Sequence, residues 1–192
     1  VGQLPDESKI FGHEYAPGIT AGDDIFTVMS SDIFRGSAFA LGYVNPDNLR
    51  GMNIWSDMYK VIRKANLMLA RMDECQDMTA LDRRNYTGYI HFLRGYAYYH
   101  ILMTCGPAIL VGDEIFESNL EGPAYNTYRA TYDETVEYIC SELETAAAYL
   151  PLKASIAQFE RPTKGAAYAL IARLRLHAAS PLFNGTSTAR LY

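Results

Sequence analysis

The chain has 192 residues, of which 49% are hydrophobic and 20% charged, which suits one globular domain with a substantial core. Its formal net charge is −5 and its 17 basic residues are scattered, which argues against a nucleic-acid-binding protein because phosphate binding needs clustered Lys and Arg. The sequence has no apolar run of the roughly 18 residues that a membrane-spanning helix requires.

Residues 1–44 predict an irregular, loop-rich segment. Glycines and aromatic residues alternate along it, and no helical stripe holds for more than two turns. The pattern leaves open a brief helix or strand near Asp24–Met29.

The first strong helix is predicted to begin at Asn45. Asn45 can serve as the N-cap, and Pro46 occupies the first helical position, where proline is favoured. One helix face recurs at the helical period and consists of Trp55, Tyr59, Ile62, Asn66 and Leu69. Asn66 is the polar member of this face, so we expect it to bond to the backbone of a neighbouring helix or loop.

The second helix is predicted to begin at Thr79 and to end at Gly106-Pro107. Thr79 and Asp82 have the spacing of a capping box, and Gly-Pro is a normal helix stop. Gly88 and Gly95 are seven residues apart and therefore share one face, which would let another helix approach closely. Apolar residues on two faces predict packing on two sides.

Two further helices follow a connection over residues 107–130. The third begins with a capping box at Thr131 and Glu134 and ends at Pro151. The fourth is capped by Thr163 and ends at Ser180-Pro181, before a turn at Asn184-Gly185. Charged residues of the third helix, with no basic partner, are Asp133, Glu134, Glu137, Glu142 and Glu144.

The four helices form two helix–loop–helix pairs, which predicts an all-α fold of tetratricopeptide-like helix pairs. The match is architectural, because the usual tetratricopeptide residues do not recur at a fixed period. The predicted organisation is therefore an irregular segment over residues 1–44 and one helical domain over residues 45–192, truncated at both ends.

Five segments, in this order along the chain, resemble motifs of the SusD/RagB family. Trp55–Asn66 is similar to its W-x-x-x-Y-x-x-I-x-x-A-N helix, and Phe92–Tyr99 to its F-L-R-A-Y-A-Y-F helix. Gly106–Leu110 roughly fits a G-x-x-P-L turn with the proline displaced. Arg129–Pro151 resembles a helix ending in A-x-x-L-P, and Arg161–Arg173 the G-R-x-T-x-G-A-A…A-R helix.

The resemblance implies a surface lipoprotein of the Bacteroidetes outer membrane, anchored by a lipidated N-terminal cysteine. Family members lie over a SusC-like TonB-dependent transporter and bind glycans or, in some members, peptides for import. They are longer than this chain, which lacks the anchor cysteine and the C-terminal half. Phe159-Glu160 also replaces the expected glycine. The residues that match structural positions of the motifs are Trp55, Tyr59, Asn66, Arg94, Gly95 and Arg161.

The sequence predicts no catalytic residue, cofactor or metal site. The four histidines lack metalloprotease spacing, and neither a GxSxG elbow nor a GxxxxGK[ST] loop occurs. Cys75, Cys105 and Cys140 are too widely spaced for a disulfide framework, and Cys140 lies on an apolar stripe as a small buried hydrophobe.

Ligand binding, if it occurs within this chain, is predicted in the loops. Sugar recognition combines an aromatic face with amide, carboxylate or guanidinium groups. That set is offered by Asp24, Phe34, Arg35, Tyr43 and Asn45. For Asp24, a place in a turn or a helix cap is favoured over a ligand-binding or cation-binding role.

Two further residues could in principle bind a ligand, but the structural interpretation is favoured for both. Trp55 could stack on a sugar, although its place on the helix face favours core packing. Arg94 could bind an anion, although a bond to a loop carbonyl or a carboxylate is favoured.

Three functions follow as hypotheses. The first is a glycan-binding lipoprotein that works with a transporter, or a peptide-binding member of the same family. The second is a helical scaffold that docks a protein and binds no nutrient. The third and least favoured is a glycan-processing enzyme, which would need a carboxylate pair flanking the sugar. The sequence does not name the ligand.

Overall fold

The computed structural model describes Gly42, Asn45, Asp47 and residues 54–116, 127–154 and 159–184. Contacts divide the chain into two compact units, Val1–Asp57 and Met58–Tyr192. The described residues form five α-helices and one 3₁₀ turn, which confirms the all-α prediction. They are α1 (Trp55–Arg71), the 3₁₀ turn Met72–Glu74, α2 (Ala80–Cys105), α3 (Tyr132–Tyr149), α4 (Lys164–Ala178) and α5 (Pro181–Asn184). None of these helices combines the length and the hydropathy needed to cross a bilayer.

Helix α1 begins at Trp55, so the predicted start at Asn45 is wrong. The Asn45 amide oxygen accepts a hydrogen bond from the Asp47 backbone N–H at 3.0 Å, and Asp47 lies in a turn. An asparagine side chain that bonds its own backbone two residues on stabilises a turn in place of a helix start. The predicted boundary between an irregular segment and a helical domain at residue 45 stays a prediction.

Helix α2 has the predicted ends. The Thr79 hydroxyl accepts from the Asp82 backbone N–H at 3.1 Å and donates to the Asp82 carboxylate at 2.6 Å. The helix ends at Cys105, and Gly106 follows with a φ of +78°, a left-handed conformation that favours glycine.

The two glycines of α2 lie against α3, as predicted. A Cβ atom added to Gly88 would lie 3.1 Å from Leu150 and from Tyr149, and one added to Gly95 would lie 3.1 Å from Leu143. Both distances are shorter than ordinary van der Waals contact. The absent side chains therefore set how closely α2 and α3 approach.

Helices α3 and α4 also begin at the predicted caps. Thr131 and Glu134 form a complete capping box, and Thr163 caps α4 by accepting from the Ala166 backbone N–H at 3.4 Å. Beyond Ser180, the short helix α5 replaces part of the predicted turn; Pro181 stands at its first position, where proline fits. Gly185 lies outside the described residues.

Each described helix from α2 to α4 packs on the one before it. A cluster of Ala65, Met72 and Ile90 joins α1 to α2. A second cluster joins α2, α3 and α4 and consists of Tyr89, Ala146, Ala147, Leu150 and Ala167. Helix α2 is thus buried on two sides, which confirms the interpretation of its two apolar faces.

Candidate functional site

The predicted ligand-binding residues fall mostly outside the part of the chain that the structure describes. Asn45 is described: it is exposed, and its amide oxygen is bonded to the Asp47 backbone. Asp24, Phe34, Arg35 and Tyr43 lie among the residues that are not described. Their assignment to a ligand site stays a prediction.

The described residues contain one extensive buried polar cluster, formed by Asn66, His91, Arg94 and Glu142, which we call the polar core. Arg94 is only 3% exposed. Its Nε and Nη2 atoms each donate to a Glu142 carboxylate oxygen at 2.7 Å, a bidentate pair between α2 and α3. His91 Nδ1 lies 3.0 Å from Glu142 Oε2.

Asn66 connects α1 to the polar core. Its amide nitrogen donates to the backbone oxygens of Gly112 and Glu114, both at 2.9 Å. Its amide oxygen accepts from Arg94 Nη1, also at 2.9 Å. Every polar atom of this buried amide has a partner, which confirms the prediction that Asn66 bonds to the backbone of a neighbouring loop.

The segment over residues 106–116, which leads away from α2, is held by side chains of α1 and α2. The Tyr59 hydroxyl donates to the Ile109 carbonyl at 2.9 Å and accepts from the Ile109 N–H at 2.8 Å. The Tyr98 hydroxyl accepts from the Val111 N–H at 3.1 Å. Arg94 donates to the Gly112 carbonyl at 3.2 Å and pairs with the exposed Asp113 carboxylate. Side chains of α1 and α2, among them Asn66 and Arg94 of the polar core, therefore hold this non-helical segment in place.

The pairing decides the protonation state of the polar core. Burial alone would raise the pKa of Glu142, but its hydrogen bonds with His91 and Arg94 outweigh burial, and its pKa lies below its ordinary value. Burial likewise opposes the Arg94 charge, yet the two carboxylates raise the pKa of Arg94. Burial raises the pKa of Tyr59 to about 12, which keeps its hydroxyl protonated as a donor to Ile109.

Arg94 bonds to a loop carbonyl and to carboxylates, which are the partners that the sequence predicts for it. All three of its guanidinium nitrogens donate to protein atoms, and the residue is buried. Gly95 has the predicted role of admitting a neighbouring helix. Trp55 is half-buried at the start of α1.

The prediction that the acidic residues of α3 have no basic partner is wrong for two of them. Glu142 pairs with Arg94, and Glu137 pairs with Arg175 of α4, with a distance of 2.8 Å from Arg175 Nη2 to Glu137 Oε2. The burial of Glu142 was not predicted from the sequence. One signal was available, because Glu142 is three residues from Ile139 and next to Leu143 on the buried face.

Arg161 lies over two aromatic rings of α2. Its guanidinium carbon is 5.8 Å from the centre of the Tyr86 ring and 5.3 Å from that of Tyr89. A cation over an aromatic face is attracted by the quadrupole of the ring. Arg161 thus connects the start of α4 to α2.

The described residues contain no group of three or more His, Cys, Asp or Glu side chains arranged to hold a metal ion. All three cysteines are free; Cys75 is exposed and Cys140 is buried, as predicted for the latter. In the described part of the chain, the buried charges of Arg94 and Glu142 pair with each other, as is typical of a structural scaffold.

The family model of the SusD-like proteins, described as "Starch-binding associating with outer membrane", matches residues 23–176. The match covers most of the chain, including the predicted ligand residues from Asp24 to Asn45. No curated protein matches the chain.

Solved structures of SusD-like proteins share this fold. A SusD-like protein from Bacteroides fragilis NCTC 9343 is 29% identical with a TM-score of 0.58, over 64% of this chain and 23% of that one. A laminarin-binding SusD-like protein is 24% identical with a TM-score of 0.61, over 78% of this chain and 33% of its own. Surface glycan-binding protein A from Bacteroides uniformis is 24% identical with a TM-score of 0.53, over 70% and 29%. The chain thus matches only about a quarter to a third of each structure.

Proposed function

The chain belongs to the SusD-like family, and from that membership we propose that its parent protein binds a glycan at the bacterial cell surface and delivers it to a SusC-like TonB-dependent outer-membrane transporter. The family match over residues 23–176 is the observation that carries the proposal. Two of the similar structures are named for glycan or laminarin binding, which supports a glycan as the ligand class and laminarin as the first one to test.

The helices and the loops have different roles in this proposal. The polar core holds α1, α2, α3 and residues 106–116 in one arrangement, and its Asn66, Arg94 and Glu142 side chains are buried. We therefore assign ligand contact to the segment before α1, which the sequence predicts to be loop-rich. There Phe34 and Tyr43 would stack on a sugar ring, and Asp24, Arg35 and Asn45 would bond its hydroxyls.

The parent protein is proposed to bind its ligand and leave it chemically unchanged, without a cofactor. It is proposed to reach the outer membrane through a lipidated N-terminal cysteine. The family description, with its association with the outer membrane, supports that location.

Affinity electrophoresis of the full-length protein on a panel of glycans, including starch and laminarin, tests the ligand class. Retardation by at least one polysaccharide, with no shortening of the oligosaccharide on prolonged incubation, is the expected result. Binding of peptides alone would move the protein to a peptide-importing branch. Binding of neither class would favour a protein-docking scaffold, and release of shorter sugars would establish an enzyme.

A further inference from the structure

The turn between α1 and α2 contains a cavity of about 700 Å³. It lies where the 3₁₀ turn ends and α2 begins, and its described lining consists of residues 74–78 with Asp82 and Tyr86 of α2. This volume is typical of small-molecule sites, which measure about 300–1,000 Å³. The cavity shares no residue with the polar core.

The apolar part of the cavity is supported by the protein core. Met78 and Tyr86 are half-buried, and both pack against the apolar cluster that joins α1 to α2. The backbone of the turn is also fixed, because the Cys75 N–H donates to the Met72 carbonyl at 3.2 Å. A cavity held in this way is preformed, so a ligand does not bear the entropic cost of ordering it.

Two carboxylates of the cavity are oriented by partners outside its lining. Arg71 Nε donates to both carboxylate oxygens of Glu74, at 3.1 and 2.9 Å, and the Thr79 hydroxyl donates to Asp82 at 2.6 Å. The hydrogen bond with Arg71 lowers the pKa of Glu74, so this carboxylate is ionised and acts only as an acceptor. Each carboxylate keeps further lone pairs for a ligand.

Two other polar side chains of the cavity have no partner within the described part of the chain. Gln76 and Asp77 are exposed, and neither forms a hydrogen bond or an ion pair with another described residue. With Glu74 and Asp82 they place acceptors at four positions of the lining, and the Gln76 amide adds donor hydrogens. This set can bond several hydroxyl groups at once.

The lining disfavours two other classes of ligand. None of the described residues that form it is Lys, Arg or His, so a phosphate, sulfate or uronate would meet carboxylates and no cation. The carboxylates also do not converge on a single point, since the described residues hold no group of three or more potential metal ligands. An uncharged molecule with several separated hydroxyl groups fits both observations.

We propose that this cavity is a second carbohydrate-binding site, which takes a short uncharged saccharide. The carboxylates and the Gln76 amide bond the hydroxyl groups of the sugar, and Met78 and Tyr86 contact its apolar C–H face. The choice of a saccharide among hydroxyl-bearing ligands rests on the proposed function, whereas the location is independent of the segment before α1.

Alkylation of Cys75 tests the proposal, because this exposed thiol belongs to the lining of the cavity. The full-length protein would react with iodoacetamide in the presence of glucose, maltose or laminaribiose, and peptide mass spectrometry would follow each cysteine separately. We expect at least one saccharide, at saturation, to slow the alkylation of Cys75 by at least about threefold. The alkylation rate of Cys105, which lies outside the lining, should stay unchanged.

A double variant and a matched control show whether the named side chains bind the sugar. Gln76→Ala/Asp77→Ala should raise the saccharide concentration that gives half-protection by at least about tenfold, because both partners of the hydroxyl groups are removed. Glu144→Gln removes an exposed carboxylate outside the lining and should leave that concentration unchanged. Equal half-protection in the double variant and the wild type would refute the assignment.

The remaining outcomes separate this site from the proposed function. Protection of Cys75 that persists in Phe34→Ala supports a distinct site, and protection that disappears in that variant overturns it. Calorimetric binding of a saccharide that leaves the alkylation of Cys75 unchanged would remove the cavity as a site while the proposed function stands. Protection by glucuronate or n-butylammonium, with none by the uncharged sugars, would assign the cavity to a charged ligand and contradict the proposal.

Discussion

The α2–α3 interface and one exposed face of α4 both contain glycine, yet only the first is occupied within the described part of the chain. We call the second the outer face of α4; its exposed residues are Gly165, Tyr168, Ala169, Ala172 and Leu176. On α2, a Cβ atom added to Gly88 would lie 3.1 Å from Leu150, and one added to Gly95 would lie 3.1 Å from Leu143. On α4, a Cβ atom added to Gly165 would lie 3.8 Å from Thr163, its one neighbour within 4 Å among the described residues. The comparison teaches that a glycine on a helix face permits close contact, and that the distances to neighbouring atoms show whether the contact is made.

The two regions differ in where their charges lie. The α2–α3 interface buries the Arg94–Glu142 pair, in which Arg94 is 3% and Glu142 is 7% exposed. The outer face of α4 keeps Arg173 and Lys164 at its edges, where solvent screens them. A buried pair is costly to break, whereas an edge charge is not, so the two regions should respond very differently to substitution.

The largest effect is expected from Arg94→Met. The substitution leaves the Glu142 carboxylate buried without its cation, and breaking a buried pair in this way costs about 3–5 kcal/mol. Urea unfolding followed by circular dichroism measures the loss. The double variant Arg94→Met/Glu142→Leu should lose less than the sum of the two single variants, and simple additivity would contradict the assigned pairing.

A smaller effect, of opposite sign in the two regions, is expected from replacing a glycine by alanine. Gly95→Ala should lower the unfolding free energy by about 1–3 kcal/mol, because the new Cβ lies 3.1 Å from Leu143. Gly165→Ala should raise it by up to about 1 kcal/mol, because alanine is the better helix former and the position is open. Two changes of the same sign and size in thermal or urea unfolding would remove the distinction between the regions.

The ends of α2, α3 and α4 could be predicted because helix caps and stops are local. Thr79, Thr131 and Thr163 each act within three residues of the backbone N–H that they accept from. The same local rule failed at Asn45, whose side chain stabilises a turn with Asp47 instead. The local pattern does not distinguish an asparagine that caps a helix from one that stabilises a turn, since the side chain accepts from a nearby backbone N–H in both cases.

The polar core could be predicted only in part. The sequence predicts polar partners for Asn66, because it lies on an apolar helix face, and favours a loop carbonyl or a carboxylate as the partner of Arg94. The particular partners could not be predicted. Glu142 lies 48 residues from Arg94 along the chain, and Gly112 lies 46 residues from Asn66, so each pair meets only through tertiary packing. The predicted ligand residues depend on the family resemblance, and the motifs that carry it are mostly packing positions.

The smallest effect is expected in the acid response. Because the pKa of Glu142 is lower in the folded chain than its ordinary value, the unfolded chain binds more protons as the pH falls. The contribution of Glu142 to stability is therefore complete above its unfolded pKa of about 4.3 and declines as the pH falls towards the folded value. Glu142→Gln should show a shallower loss of unfolding free energy below about pH 5, whereas the exposed Glu144→Gln should follow the wild type.

The most direct test of the central claim distinguishes the segment before α1, which is predicted to be loop-rich, from the helical scaffold as the place where a glycan binds. Isothermal titration calorimetry would compare the full-length protein with its Phe34→Ala and Phe159→Ala variants, using a glycan that the wild type binds. Phe159 is the matched control, because it is 84% exposed and lies outside the proposed site. We predict a loss of about tenfold in affinity for Phe34→Ala, equivalent to about 1.4 kcal/mol, and none for Phe159→Ala. Unchanged binding by Phe34→Ala, or absence of binding by the wild type to every glycan tested, would contradict the account.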